Sequence, residues 1–338
     1  SFDKSSILVN SGIETYAHGG EGVVVVTYDS NGSAVYSGGE LQYTGMPPSG
    51  VDGGGVIIAK NGVAKVANTL FIPRKMSDSE AKSAATGNVG VGTYGPGPSK
   101  FIGGGWDAGF CGEVSSTDLV NGDDLATELN VTEGVSQNSD AGWLKFASEG
   151  KVLYIAKRPI RHSISWDHLY DRGVVYGTDD NGLNPRNTPT NQYTTVSHGG
   201  SDFVVRLMTC AHADPFAESD SLLFTADMYQ ADFGGDSEWN RLIYRVHNAV
   251  PSDPAVDGMR ADRHGGPQVG ENWASYTDSD LGHIGNGRAC WGQEMSDTTS
   301  SRRVSRGGGY VARFSRRNAH GTISSYGWRP ALELITDH

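Results

Sequence analysis

The sequence contains few cysteines, and their spacing excludes two common kinds of site. Only three occur in 338 residues, Cys111, Cys210 and Cys290. An odd number of widely separated cysteines is not a disulfide framework, and without a Cys-x-x-Cys pair it does not form a zinc-binding pattern. The chain is therefore expected to assemble in a reducing compartment such as the cytosol.

Long apolar runs and catalytic signatures are also missing. Because no run of 18 apolar residues occurs, we predict no membrane span. The start of the chain, Ser1-Phe-Asp-Lys-Ser-Ser6, has neither a basic segment nor an apolar one, so no signal peptide is expected. The sequence has no His-Glu-x-x-His, no Gly-x-Ser-x-Gly and no Walker phosphate loop. We therefore predict no catalytic residues and no protein-built metal centre.

Acidic residues are missing from one long stretch of an otherwise acidic chain. The net charge of −12 argues against non-specific binding of nucleic acid. Between Thr298 and Leu332, however, there is no Asp or Glu. The same stretch contains seven arginines: Arg302, Arg303, Arg306, Arg313, Arg316, Arg317 and Arg329. The simplest interpretation of Arg302, Arg306 and Arg329 is that they pair with carboxylates at the edge of the core. The arginines at 313, 316 and 317 lie in a polar span and are expected to be exposed.

Glycine is abundant, with 47 residues, and helix-forming runs are few. Early in the chain a β run over 22–28, an Asn31-Gly32 turn and a second β run over 34–36 predict a hairpin. A second hairpin of the same kind is predicted, with β runs over Val56–Lys60 and Val63–Val66. We assign residues 1–75 to a small all-β module. Because its strands are short and form a poor core, it is expected to dock or oligomerise.

A linker and a second, globular region follow the β module. Residues 76–100 are rich in Gly, Ser and Pro and are assigned to a linker. Beyond it we predict helices over 122–129 and from a Ser165 N-cap. Strands are predicted over 151–156, 203–208 and 331–335.

Five motifs in a fixed order carry a resemblance to a known fold. They are Glu238-Trp-Asn-Arg-Leu242, Asn272-Trp-Ala-Ser-Tyr276 with its continuation to Gly282, Trp291-Gly-Gln-Glu294, Arg302-Arg-Val-Ser-Arg-Gly-Gly308 and Gly327-Trp-Arg-Pro-Ala-Leu-Glu-Leu334. This order resembles the C-type-lectin-like fold, in the branch shared by formylglycine-generating enzymes and phage receptor-binding and structural proteins. The resemblance implies an α+β fold, with a C-type-lectin-like domain over residues 101–338 after the β module.

The resemblance allows two classes of function, an enzyme and a binding protein, and the presence or absence of cysteine at one position of the fold distinguishes them. Formylglycine-generating enzymes use a copper-bound thiolate pair between the two glycine-containing end motifs, yet residues 305–328 contain no cysteine. A soft copper site would lack its ligands there, which disfavours the enzyme. The resemblance then implies a non-enzymatic bacteriophage virion protein, assembled in the host cytoplasm beside other virion proteins. Decoration, tail and fibre-tip positions stay open, and a homotrimer is expected by analogy.

The same resemblance locates a ligand-binding face. In the lectin-like fold the span between the two end motifs crosses the outer sheet, and related phage proteins vary their targets there. The candidate ligand-binding residues are Tyr310, Arg313, Phe314, Arg316, Arg317, Asn318, His320, Ser324 and Tyr326. Arginine and aromatic side chains favour an anionic partner: a host-cell glycan or protein receptor, or an acidic patch on another virion protein. The alternative is that Tyr310 and Tyr326 cap the core and the arginines are solvated.

No resident cofactor is predicted, although calcium stays open. Asp278-Ser-Asp280 and Asp179-Asp180-Asn181-Gly182 are oxygen-rich loops of the kind that calcium binds. Asx turns explain both loops without an ion. Family members often carry calcium, which is what keeps the option open.

Overall fold

The structure, a computed structural model, describes part of the chain in detail. It covers the backbone of five strands between Ser5 and Gly45, and residues 95–183, 185, 188–211, 213–215, 237–248, 272–296 and 301–336. Its contacts divide the chain into two compact units, Ser1–Gly92 and Thr93–His338. The division falls within the stretch that the sequence assigns to a linker.

The described strands of the first unit form two small antiparallel sheets. They are β1 (Ser5–Val9), β2 (Glu14–His18), β3 (Val24–Asp29), β4 (Gly32–Ser37) and β5 (Glu40–Gly45). β1 pairs with β2, and β3, β4 and β5 follow one another in a three-stranded sheet. Asp29 pairs with Gly32, so the first hairpin forms where the sequence predicts it. The strands predicted over 56–60 and 63–66 lie outside the described residues.

The described part of the second unit is mixed, with many strands and few helices. Its strands are β6 (Gly103–Gly104), β7 (Ala108–Val114), β8 (Val135–Ser136), β9 (Trp143–Ser148), β10 (Lys151–Ala156), β11 (Arg161–His162), β12 (Thr195–His198), β13 (Ser201–Arg206), β14 (Ala289–Met295), β15 (Arg302–Arg306), β16 (Phe314–Asn318), β17 (Tyr326–Trp328) and β18 (Ala331–Leu334). They form a seven-stranded sheet and a six-stranded sheet.

The seven-stranded sheet has the order β12-β13-β18-β10-β9-β7-β6. The last strand of the chain therefore lies in its middle, and Leu332 pairs with Tyr154 on one side and Val205 on the other. The predicted strands over 151–156 and 331–335 are confirmed. The strand predicted over 203–208 is present but begins earlier, at Ser201.

The six-stranded sheet has the order β16-β15-β14-β17-β11-β8, which leaves β16 and β8 at its edges. β14 and β17 run parallel, whereas the other pairs are antiparallel. Gly327 in β17 is required by a close backbone approach: a Cβ there would lie 2.0 Å from the carbonyl oxygen of Gly287. A side chain at this position would push the strand and the loop before β14 apart.

Two short α-helices begin where their capping residues predict. α1 (Gly122–Glu128) is capped by Asn121, whose side chain accepts from the backbone N–H of Asp123 at 2.9 Å. α2 (Trp166–Asp171) is capped by Ser165, whose hydroxyl accepts from the N–H of His168 at 3.1 Å. These caps satisfy N–H groups that have no partner within the helix.

The Glu238-Trp-Asn-Arg-Leu242 motif is helical, but its geometry is not that of an α-helix. Trp239–Ile243 forms a π-turn, and Tyr244–Val246 continues as a 3₁₀ turn. Trp239, Leu242, Ile243, Tyr244 and Val246 are all buried. Four of them follow the i, i+3, i+4, i+7 spacing of one helix face, and Tyr244 joins the same core cluster.

The tryptophans of the motifs lie in the core, and two of them donate their indole N–H to backbone carbonyls. Trp239 donates to the carbonyl of Val311 at 2.9 Å, and Trp291 donates to the carbonyl of Ile164 at 2.8 Å. Trp328 is fully buried as well. Because a buried indole N–H needs an acceptor, these contacts fix how the loops close over the sheets. The motif residues that carry the resemblance therefore specify packing.

Part of the predicted linker packs against the second unit. The hydroxyl of Tyr154 donates to the carbonyl of Pro96 at 2.8 Å, and a Cβ at Gly97 would collide with Val114. Residues 95–100 thus follow the surface of the seven-stranded sheet. In the described parts of the chain, no helix is long and apolar enough to cross a membrane.

Candidate ligand-binding surface

The arginines of the acid-free stretch divide into buried and surface groups. Arg303, Arg306 and Arg329 are buried, whereas Arg302 is exposed. The guanidinium of Arg303 lies 4.1 Å above the ring of Trp166. A stacked guanidinium gains both apolar contact and electrostatic attraction to the ring.

The carboxylate pairing expected for Arg329 is wrong. Its Nε donates to the carbonyl of Ala156 at 2.9 Å, and its Nη2 donates to the carbonyl of Leu281 at 2.6 Å. Arg306 donates to the carbonyl of Cys210 at 3.2 Å and to the side-chain amide oxygen of Asn240 at 2.8 Å. Both guanidinium groups satisfy loop and strand-end carbonyls that lack a partner in the sheet ladders.

Two aromatic residues of the predicted ligand-binding set lie in the core. Phe314 is 5% exposed, and the guanidinium of Arg306 lies 5.6 Å from its ring. Tyr326 is 9% exposed, and its ring lies 4.9 Å from that of Trp291. Both rings pack against the inner side of the sheet. For Tyr326 this agrees with the alternative interpretation, in which the residue caps the core and does not contact a ligand. Tyr310, in contrast, is 37% exposed.

The other predicted residues lie at the surface on β16 and the loops on either side of it. Asn318, His320 and Ser324 are exposed, and Arg313, Arg316 and Arg317 are half-buried rather than fully exposed. Because side chains alternate along a strand, Arg316 and Arg317 lie on opposite faces of the sheet. Arg316 pairs with Val304, and Arg317 pairs with Arg303. Arg317 therefore shares a face of the sheet with Arg303 and Tyr326.

Arg317 belongs to a cluster of positive charge that includes a residue missed in the sequence. Its guanidinium lies 5.9 Å from the Tyr326 ring, and its Nε is buried with no hydrogen-bond partner among the described residues. Burial lowers the pKa of Arg317, and the nearby Arg313 and Arg288 lower it further. Arg288 lies before the acid-free stretch, in a Gly-rich loop, and no motif singled it out.

A second polar cluster joins three segments in the interior. The Oδ1 of Asp278 lies 3.1 Å from the Nε2 of His247 and 3.1 Å from the Nδ1 of His283. Burial alone would raise the pKa of Asp278, but the hydrogen bonds to the two histidines hold it far below its usual value. Two imidazoles and one carboxylate, with ligand atoms within 4.8 Å of one another, are a donor set that transition metals bind.

The surroundings of His283 do not fit metal binding. The Nη1 of Arg329 lies 3.2 Å from its Nε2, and a guanidinium can only donate. The proton of His283 must then lie on Nδ1, where it is donated to Asp278. A metal on Nδ1 would move that proton to Nε2, facing the guanidinium. Burial lowers the pKa of His283 to about 3, and the Arg329 charge acts in the same direction, so the ring is neutral. The cluster is a hydrogen-bonded structural chain.

The oxygen-rich loops form turns. The Oδ2 of Asp280 accepts from the N–H of Thr277 at 2.9 Å and from its hydroxyl at 2.7 Å. The Oδ1 of Asp180 accepts from the hydroxyl of Thr178 at 2.6 Å and from the N–H of Gly182 at 2.8 Å. The Asp180–Gly182 bond is an Asx turn, the alternative to calcium at that loop, whereas Asp280 accepts from a residue three positions earlier, which is not an Asx turn.

The thiols lie in the interior. Cys111, Cys210 and Cys290 are all buried, and none of the three is in a disulfide bond. Burial raises the pKa of Cys210 well above its usual value and that of Cys290 to about 11. A thiol in such surroundings stays protonated and is a poor nucleophile or metal ligand.

Comparison with known proteins adds no relative to this picture. No family model, no curated protein and no solved structure matches the chain. The functional argument therefore depends on the residues themselves and on the surface that they form.

Proposed function

We propose that the chain is a non-enzymatic structural protein of a bacteriophage virion that presents a recognition surface. In this proposal the second unit is a C-type-lectin-like domain over residues 101–338. The five motifs support it because their order resembles that branch of the fold. Their tryptophans and arginines also lie in the core and at loop closures, where a shared fold would keep them.

The observation that carries the proposal is the edge of the six-stranded sheet. β16 and its flanking loops present cationic and polar side chains in a stretch without acidic residues, on a chain of net charge −12. Such a surface attracts an anionic partner, which the acidic remainder of the chain does not. The proposed contact residues are Tyr310, Arg313, Arg316, Arg317, Asn318, His320 and Ser324. Phe314 and Tyr326 support them from the core.

The buried thiols favour this function over the formylglycine-generating alternative. Copper-dependent oxygen activation in that family uses thiolates between the two end motifs, and the cysteines of this chain lie elsewhere and are buried. The candidate surface consists mainly of arginine, aromatic and polar side chains, which suit binding of a ligand better than covalent catalysis.

Assembly is proposed to depend on the first unit. Residues 1–75 dock the protein to other virion proteins or to copies of itself, and a homotrimer is the preferred form. The strands described there are short, five or six residues each, which limits the core that they enclose.

Imaging of purified particles tests the proposal. Antibody raised against the full chain and labelled with gold should decorate particles at a fixed position and copy number. Flow cytometry should show that fluorescent full-length protein binds the bacterial host, and that Arg313→Ser/Arg316→Ser/Arg317→Ser does not. Lys100→Ser/Lys151→Ser/Arg172→Ser, which removes three positive charges elsewhere, is the matched control and should bind normally. Particles without the protein, or equal binding by both triple variants, would contradict the proposal.

A further inference from the structure

Three arginines, Arg288, Arg313 and Arg317, lie close enough together that, beyond the effect of burial, the charges of the first two lower the pKa of the third. The guanidinium of Arg317 lies 5.9 Å from that ring. Tyr326 pairs with Ala289 in the parallel register of β14 and β17, and Arg288 is the residue before Ala289. Arg317 thus lies on β16 and Arg288 in the loop just before β14, and the charge of Arg288 adds to burial in lowering the pKa of Arg317.

Arg313 reaches the same place from the loop before β16. A Cβ at Gly308 would lie 3.5 Å from the Cδ of Arg313 and 3.6 Å from the Cβ of Ala289. The side chain of Arg313 thus lies over a glycine that itself touches the Ala289 end of β14. The absence of a side chain at Gly308 leaves room for this approach.

The cluster has more positive charge than its surroundings neutralise. Arg288 donates to the carbonyl of Gly285 at 2.9 Å, and Arg313 donates to the carbonyl of Gly308 at 3.0 Å. The Nε of Arg317 is buried and has no hydrogen-bond partner among the described residues. Within the described ranges, none of the three makes a salt bridge to a carboxylate. Like charges held together without a counter-ion repel one another, and an anion relieves that repulsion.

We propose that Arg288, Arg313 and Arg317 form an oxyanion subsite that takes the carboxylate or phosphate group of an anionic sugar. The inference rests on the proposed recognition function and gives that surface its ligand class. Arginine suits this role because its planar fork binds carboxylate and phosphate oxygens in pairs. Stacking on Tyr326 holds the fork of Arg317 in one orientation before the ligand arrives.

Exposed apolar side chains surround the subsite. Ile284 is 61% exposed, Ile323 is 59% exposed and Tyr310 is 37% exposed. The N–H of Gly309 donates to the carbonyl of His283 at 3.0 Å, which brings Tyr310 next to Ile284. The N–H of Gly287 donates to the carbonyl of Ser324 at 2.7 Å, which brings Ile323 to the same loop. Apolar area around a charged centre suits a sugar ring carrying one acidic group better than a free ion.

Titration of the full-length protein tests the subsite. Binding of inorganic phosphate, glucuronate and glucose is measured by calorimetry or by arginine side-chain NMR, at constant ionic strength set with chloride. Phosphate and glucuronate should bind and glucose should not. If glucuronate binds tighter than phosphate, the ligand is a sugar acid, and the reverse order indicates a phosphorylated sugar. Equal response to chloride alone, or no binding of either oxyanion, would overturn the subsite.

Variants identify the residues. Arg317→Gln and Arg288→Gln should each weaken oxyanion binding about tenfold, the effect of losing one charge-assisted hydrogen bond. Arg317→Lys keeps the charge but loses the fork, and it should weaken binding by an intermediate factor while its melting temperature without ligand stays unchanged. Arg172→Gln is the matched control, because Arg172 is also half-buried with a buried Nε that has no described partner. An equal loss in Arg172→Gln would overturn the assignment.

The two proposals fail in different ways. Oxyanion binding that depends on Arg317, in a protein absent from particles, would keep the subsite and contradict the virion function. Host-cell binding that depends on the arginine triplet, with oxyanion binding unchanged in Arg317→Gln, would keep the function and contradict the subsite.

Discussion

The Nη1 of Arg329 lies 3.2 Å from the Nε2 of His283 in the interior of the second unit. Because a guanidinium only donates, this contact fixes the tautomer of His283 and directs its remaining proton to Asp278. The chain Arg329–His283–Asp278 thus joins the segment between β17 and β18 to the loop that precedes β14. Its stability depends on a neutral imidazole.

Acid should therefore destabilise the fold through His283. Its pKa is about 3 in the folded state against an ordinary 6.5, so the unfolded chain binds the additional proton between these values. The stabilising contribution is complete above pH 6.5 and is lost as the pH falls towards 3. In His283→Gln, which preserves one acceptor and one donor, urea unfolding between pH 7 and pH 4 should show a shallower loss. An unchanged slope would refute this role.

Glu294 should give the opposite dependence on pH. Burial raises its pKa from 4.5 to about 8, although its Oε1 accepts from the N–H of Cys210 at 2.7 Å. The folded state then holds the additional proton between these values, so stability falls as the pH rises from 4.5 to about 8. Glu294→Gln should match the native protein near pH 4.5 and exceed its unfolding free energy by several kcal/mol at pH 8. A constant difference across this range would rule the mechanism out.

The buried ion pair of Arg206 and Glu238 should be essential to the fold. Arg206 contacts Glu238 at 2.5 Å and Glu333 at 2.9 Å, all within the interior or its edge. Glu238→Gln leaves the buried Arg206 with Glu333 as its one carboxylate partner among the described residues, so it should cost about 3 kcal/mol of unfolding free energy. Glu149→Gln, which breaks the exposed contact with Arg241, should cost less than about 1 kcal/mol. Chemical denaturation of both variants compares the two, and equal costs would contradict the account.

Divalent transition metals should not stabilise the protein through His247, Asp278 and His283. Both nitrogens of His283 are already used, one by Arg329 and one by Asp278. Thermal unfolding with zinc, with nickel and with a chelator should give the same midpoint. A midpoint that rises with zinc and returns to its metal-free value in His283→Gln would show that the tautomer argument fails.

Local features of this fold were predictable from the sequence, and long-range ones were not. The Asn31-Gly32 turn, the Ser165 cap and the strand over 151–156 depend on residues close in the chain. The burial of Phe314 and Tyr326 depends on which face of β16 and β17 meets the core, and that follows from pairing with distant strands.

The polar clusters were missed for the same reason. Asp278 and His283 lie near each other in sequence, but His247 and Arg329 come from separate segments, and only the closed fold brings the four together. Arg288 joins Arg313 and Arg317 through the parallel pairing of β14 with β17, a relation between strands that no sequence motif encodes.

The central claim is that the arginine-bearing edge of the six-stranded sheet attaches the particle to its partner. Its most direct test is the adsorption rate of particles that carry Arg313→Ser/Arg316→Ser/Arg317→Ser, measured against unmodified particles. Because Arg313, Arg316 and Arg317 are half-buried, thermal unfolding of the isolated variant first checks that it folds. The account predicts that adsorption is abolished in particles of normal composition. Normal adsorption by such particles would contradict it.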